Sequence, residues 1–205
     1  MIAPASNRKQ LRQALRARRR ELDSAARETA ARKLAGLLAD LVCYHSAGHI
    51  AAYIAVEGEI DPEPLLQQAV REDKRIYLPI VPQERTGTLQ FARWQPGMRM
   101  HPNRVGIPEP SDADPGAIAP EKLDLVLTPL VAFDQLGQRL GTGGGYYDRT
   151  FAFLKSGATR PLLLGLAYEF QRLERIESEP WDVRLTGVVT DEHVYFFNAN
   201  TLPAP

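Results

Sequence analysis

Arg139-Leu140-Gly141-Thr142-Gly143-Gly144-Gly145-Tyr146-Tyr147-Asp148-Arg149 is the stretch around which the rest of the chain is organised. Four glycines fall within five residues, followed by two tyrosines, an aspartate and an arginine. Glycine lets backbone amides approach a ligand closely and takes positive φ without steric cost. A glycine loop that opens a helix turns its free N–H groups, and the helix dipole, toward an anion. The pattern predicts a helix over 146–154, with Tyr147, Phe151 and Leu154 on one side. The strand before it is expected over 123–128. Strand, loop, glycine run and helix together suit a phosphate. The stretch is not a Walker A loop, because no Gly-Lys-Ser/Thr closes it. Nor is it a Rossmann fingerprint, since Tyr146 stands where a third glycine is required. Asp148 falls in the first turn, where the dipole favours a carboxylate. It either caps the helix or holds magnesium against phosphates.

Upstream, two helices are expected over 8–22 and 24–38, the second capped by Asp23 or Ser24. Leu11, Leu15 and Leu22 form one face of the first; Arg12, Arg16, Arg19 and Arg20 form the other. That basic face is either a solvated charged surface or an arm that reaches a nucleotide's phosphates. RNA binding is a third reading, but no aromatic residue is interleaved for base stacking. An apolar run over 49–55 reads as a buried strand leading into Glu57, Glu59 and Asp61. If the pleat continued, these three carboxylates would share a face. Asp61 before Pro62 more simply caps a helix over 62–72.

Further strands are expected over 74–79 and, alternating and half-exposed, over 88–94. A proline-rich irregular segment over 95–120 either wraps a site or crosses the surface. Residues 133–137 read as a turn. Residues 161–167, 187–190 and 193–197 read as strands, with Gln171 just beyond the first of these. Strands alternating with helices imply an α/β fold, with a mainly parallel sheet sandwiched by helices. One domain is expected over 1–205, with a loose tail at 1–6 and a helical arm at 8–41. Ligands in such folds bind off the carboxyl ends of strands, which would bring Glu59, residues 141–148 and Gln171 toward one edge.

Composition sets outer limits. The 205 residues carry 25 Lys+Arg and 25 Asp+Glu, so no global field draws the chain to nucleic acid or membrane. The charge is nevertheless uneven: residues 1–33 hold ten basic residues against three acidic ones. A single cysteine, Cys43, excludes an intrachain disulfide and fits a reducing compartment, with plain packing as its role. The N-terminus has no signal-peptide apolar core, and no stretch approaches a membrane span; a cytoplasmic enzyme is expected.

The glycine stretch 141–149 resembles the signature of the 5-formyltetrahydrofolate cyclo-ligase family, and other segments match in order. Lys9-Gln10-Leu11-Arg12 resembles that family's N-terminal basic motif. Residues 53–61 resemble its strand and acidic turn. Gly106-Ile107-Pro108-Glu109-Pro110, Trp181-Asp182 and Val188-Val189-Thr190 resemble later segments. The resemblance implies ATP-dependent conversion of 5-formyltetrahydrofolate to 5,10-methenyltetrahydrofolate, with MgATP as co-substrate and no enzyme nucleophile. It implies that Arg8, Lys9, Gln10, Leu11 and Arg12 contact ATP, together with Arg139, Leu140, Gly141, Thr142, Gly143, Gly144, Gly145, Tyr146 and Tyr147. Folate would contact Ile54, Glu59 and Tyr146, and also residues 142–145. Asp148 and Asp182 would hold magnesium, with Trp181 packing beside Asp182. Many members of the family carry a basic residue at the position of Thr142 or Gly144, and this chain has none there. Charge at the γ-phosphate would then come from the N-terminal helix, Arg139 or Arg149. A monomer is expected. Two other classes are kept in view: a folate-binding protein without turnover, and a nucleic-acid module led by the arginine helix.

Overall fold

The computed structural model describes residues 5–82, 87–104, 106–110 and 116–197, with side chains from Arg8 onward. Positions 1–4 of the expected tail, and parts of the 95–120 segment, lie outside these residues; at Ala5 the chain is already helical. Two helices come first, α1 (Ala5–Glu21) and α2 (Ser24–Ala39). Asp23 caps α2 by accepting from the Ala26 N–H at 2.7 Å, which satisfies a donor that the helix itself cannot pair. A short helix α3 (Val42–Ser46) leads into β1 (His49–Ala51). Then come α4 (Glu63–Arg71), β2 (Arg75–Ile80), β3 (Gln90–Trp94), β4 (Met100–Pro102) and β5 (Pro108–Pro110). They are followed by β6 (Leu125–Pro129), β7 (Ala132–Asp134), β8 (Arg139–Leu140) and α5 (Tyr146–Thr150). The last strands are β9 (Leu162–Leu166), β10 (Arg172–Leu173), β11 (Gly187–Val189) and β12 (Val194–Phe196).

Among the described residues, seven strands form one sheet in the order β12-β11-β9-β6-β1-β2-β3. The five inner strands are parallel, and β12 and β3 are antiparallel edges. The inner strands are apolar runs because both faces are covered. Alternate residues go to opposite faces: Ile50, Ile76, Leu125 and Leu164 pack with α2, α3 and α4, while Ala51, Tyr77, Val126 and Leu163 face Phe133 and Phe151. Cys43 is buried in the first of these cores, where burial pushes its thiol up, as plain packing requires. From β1 the chain builds outward to β2 and β3; from β6 it builds the other way, to β9 and β11. The crevice between the ends of β1 and β6 is thus the switch point at which open α/β sheets bind ligands.

Several expected elements are redrawn. The run over 49–55 is strand only through Ala51; the Ala52 N–H still donates to Tyr77 O at 2.9 Å, and the chain then leaves the sheet. The strand β3 is largely buried, not half-exposed, since Phe91, Ala92 and Trp94 all lie in the interior. The expected turn near 133–137 is a hairpin, β7–β8, which joins β10 in a second small sheet. The glycine run therefore leaves that hairpin and not a core strand. The helix after it ends at Thr150 and continues as a 3-10 turn (Ala152–Ser156). Two contacts tie the chain to the core there. Thr150 Oγ1 accepts from the Leu89 N–H at 2.8 Å, and Phe151 turns into the core against Phe91. No helix among the described residues is long and apolar enough to cross a membrane.

Gly165, within β9, marks a tight point of the core. A Cβ there would meet Leu130 Cδ2 at 2.5 Å and Leu185 Cδ1 at 2.8 Å. Gly165→Ala is expected to destabilise the protein by about 1–3 kcal/mol through overpacking. Urea unfolding checks this, as a lowered midpoint with an unchanged slope.

Candidate functional site

A cleft of about 500 Å³ opens at the carboxyl ends of β1, β2 and β6. Its apolar end is formed by Ile54, Leu78, Pro79, Val81, Leu89 and Ile107. Ile107 belongs to the hairpin β4–β5, which forms out of the segment read as irregular. Glu109 ties that hairpin to the sheet, its Oε1 accepting from the Val81 N–H at 3.1 Å and from Asn103 Nδ2 at 2.7 Å.

Glu59 sits deep in the same cleft and is 8% exposed. The pleat does not run on through it. Glu57 and Gly58 both take positive φ, 50° and 74°, and the chain reverses so that the Glu59 N–H donates to Val56 O at 3.0 Å. Gly58 is required here, because a side chain would meet Arg19 O at 3.1 Å in addition to the strain of positive φ. The reversal leaves Glu57 on the surface and buries Glu59, so the three carboxylates do not share a face. Asp61 lies one residue before Pro62, the N-cap of α4, and accepts from the Glu63 N–H at 2.9 Å. Burial pushes the Glu59 carboxyl up, and the nearby Arg19 opposes this.

The opposite end of the cleft is cationic. Arg8, Arg12 and Arg16 recur every fourth residue on α1 and so share a face. Arg12 Nε donates to Gly141 O at 2.8 Å and Arg16 Nη2 to Thr142 O at 3.4 Å. Arg8 Nη2 donates to Asp182 Oδ2 at 3.1 Å. Arg12 and Arg16 of the basic face are therefore docked against the glycine run, Arg19 is buried and Arg20 is exposed. Partial burial, followed by the charges of Arg8 and Arg16, pulls the Arg12 guanidinium down. Crowded arginines of this kind favour a polyanion. Gly143 and Gly145 take positive φ, 112° and 67°, and Gly145 starts α5.

The other expected residues divide. Tyr146, Tyr147, Asp148, Asp182 and residues 141–145 all line the cleft. Arg139 lines it too, but its buried guanidinium is engaged: Nη2 donates to Asp148 Oδ1 at 2.6 Å and Nη1 to Val183 O at 2.8 Å. Arg149 braces the loop from outside, donating to Gly87 O and Gly144 O. Lys9 and Gln10 are exposed, while Leu11 and Leu140 pack together in an apolar cluster with Leu15 and Val131. Gln171 is a buried brace, its Nε2 donating to Leu130 O and Val131 O, and it does not line the cleft. Trp181, expected to pack, is 64% exposed at the mouth.

No cluster of three or more His, Cys, Asp or Glu side chains capable of holding a metal occurs among the described residues. Asp148 and Asp182 nonetheless share the cleft. Each engages protein donors through one oxygen, Asp148 through Oδ1 and Asp182 through Oδ2. That donor set fits magnesium, which takes one or two carboxylates and completes its shell with phosphates and water.

A model of the 5-formyltetrahydrofolate cyclo-ligase family matches residues 4–191. The 5-formyltetrahydrofolate cyclo-ligase of Escherichia coli K12 is 39% identical over 146 residues, covering 71% of this chain and 79% of that protein. The enzyme of that name from Haemophilus influenzae is 35% identical, covering 89% and 96%. The solved structure of Aquifex aeolicus 5,10-methenyltetrahydrofolate synthetase superposes with a TM-score of 0.78 at 29% identity, covering 93% of each chain.

Proposed function

Because the chain belongs to the 5-formyltetrahydrofolate cyclo-ligase family, we propose that it converts 5-formyltetrahydrofolate to 5,10-methenyltetrahydrofolate while splitting ATP to ADP and phosphate. One observation carries this reading: a single cleft has an end lined by Arg8, Arg12 and the glycine run and an apolar end with a buried carboxylate. The first suits a triphosphate and the second a flat heterocycle with adjacent N–H donors. As a working placement, the protein acts as a cytoplasmic monomer.

The chemistry explains the two halves. A formamide carbonyl is a weak electrophile because the nitrogen lone pair is delocalised into it, and its oxygen leaves poorly. Transfer of the γ-phosphoryl group to that oxygen makes an imidate-like phosphate. Nitrogen 10 of the same folate then attacks the carbon, and phosphate departs with the oxygen. No protein nucleophile is required, so the residues position reactants and neutralise charge. Arg8, Arg12 and the amides of 141–145 hold the phosphates. Ile54 and Tyr146 line the folate pocket, and Glu59 accepts from the pterin's amino-pyrimidine edge. Asp148 and Asp182 would hold magnesium, which when bound would neutralise phosphate charge. Arg139 keeps Asp148 in place, and Arg149 fixes the loop; neither is free to approach the γ-phosphate without giving up those bonds.

The test follows absorbance at the methenyl-folate band when the protein is mixed with 5-formyltetrahydrofolate, ATP and magnesium. A rise that requires both ATP and magnesium is expected. No rise with folded protein and verified substrate overturns the activity and leaves folate binding without turnover, which calorimetry would then measure.

A further inference from the structure

Arg19 is a further arginine of α1 that faces inward, two turns beyond Arg12. Its side chain is 1% exposed, so a full positive charge lies inside the protein. Such a charge is tolerated only beside a counter-charge. Among the described residues the acid it meets is Glu59, with Nη1 3.7 Å from Oε1. Nη1 also reaches Leu130 O at 3.4 Å, while Nε and Nη2 have no hydrogen-bond partner. The guanidinium is therefore not the hub of a hydrogen-bonded network; its main contact is electrostatic and directed at one carboxylate. Residue 19 reaches residue 59 because the 57–58 reversal presses against the α1 backbone, where a Cβ on Gly58 would touch Arg19 O.

We propose that Arg19 is a positioning residue, holding the Glu59 carboxylate in place and as an anion to receive N–H donors of the pterin. This rests on the folate reading of the cleft. The same helix presents Arg8 and Arg12 to the nucleotide end, so one rigid rod carries the phosphate contacts and the residue that prepares the pterin acid. The groups that bear on Glu59 are Arg16 and Arg19 from α1, Glu57 from the reversal, Tyr53 after β1 and Tyr147 from α5. Arg19 is the strongest influence favouring the anion, against burial, which favours the neutral acid. Removal of Arg19 therefore shifts the Glu59 midpoint upward.

The experiment compares wild type with Arg19→Met, which keeps an unbranched apolar stem and removes the charge. The Glu59 carboxyl is titrated by carbon-13 NMR in the ligand-free protein, and KM values for 5-formyltetrahydrofolate and ATP are measured. Expected are a higher Glu59 midpoint, a folate KM raised at least ~10-fold, as for loss of a charge-assisted hydrogen bond, and an unchanged KM for ATP. A folded Arg19→Met with the wild-type midpoint and folate KM overturns the proposal; a purely structural arginine would lower the melting temperature and move neither. If Arg19→Met does not fold, Arg19→Lys decides. The retained charge keeps the Glu59 midpoint near wild type while lost geometry raises the folate KM; equal rises for folate and ATP, or none, overturn it. If the wild type fails to consume 5-formyltetrahydrofolate, the functional reading fails by itself. The ligand-free titration still shows whether Arg19 governs Glu59.

Discussion

Asp148→Ala is expected to reduce turnover at least ~10²-fold and to destabilise the fold, because one carboxylate serves both roles. On the catalytic side, it removes a proposed magnesium ligand at the transferring phosphate, where loss of one electrostatic contact costs about 10²–10³ in rate. On the structural side, it strands Arg139, whose side chain is 4% exposed and 2.6 Å from Asp148 Oδ1. Breaking a buried ion pair from one side costs about 3–5 kcal/mol, and the lower end applies here because Asp148 is one-fifth exposed and Arg139 keeps its bond to Val183 O. Asp148→Asn separates the two effects. Its amide oxygen still accepts from Arg139 and from the Val183 N–H but supplies no counter-charge to the buried guanidinium, so stability should return only in part while activity stays low. Thermal unfolding alongside a magnesium titration of turnover checks this. Full activity of Asp148→Asn at ordinary magnesium would remove Asp148 from metal binding.

The second large effect is expected at Arg12. It alone among the α1 arginines donates a short bond, 2.8 Å, to the glycine run, and its guanidinium lies 3.9 Å from where a Gly143 Cβ would stand. Arg12→Ala removes a cation from the polyanion end and a strut from the loop. kcat/KM for ATP should fall about 10–100-fold, the cost of one or two charge-assisted hydrogen bonds. The dissociation constant for 5-formyltetrahydrofolate should change little, because the apolar end is built by other elements. Steady-state kinetics in ATP with calorimetry for folate measures the split. Equal losses for both ligands would mean that Arg12 supports the whole cleft and has no special tie to the nucleotide.

The inner strands could be read in sequence because apolar runs such as 123–128 and 161–167 are buried on both faces, and nothing competes with that signal. Their ends could not, since pairing stops where neighbouring chain leaves the sheet, as after Ala52. Asp23 as a cap and Asp61 before α4 were legible for a local reason: each bonds an amide two or three residues away. The glycine run was legible by composition, yet its place after a hairpin was not, because β7 and β8 are two or three residues long. Arg19 shows the limit best. In sequence it is one of a crowd of arginines, Arg16 to Arg20 holding four. Only the turn at Glu57–Gly58, forty residues away, selects which of them goes inside. Glu109 escaped for a similar reason: its partners Val81 and Asn103 are brought to it by a hairpin inside a proline-rich segment.

The chain holds two tryptophans, and the fold has given them opposite surroundings. Trp94 is 9% exposed in the core beside β2, whereas Trp181 stands 64% exposed at the cleft mouth, next to Asp182. The molecule thus carries an optical probe at its own entrance, with a second, shielded emitter as an internal standard. Trp94→Phe leaves one wavelength-sensitive reporter, expected to emit at the red end typical of hydrated indole. Adding ADP or 5-formyltetrahydrofolate separately, and following the colour and brightness of that emission in a stopped-flow cell, would time the arrival of each ligand without any label.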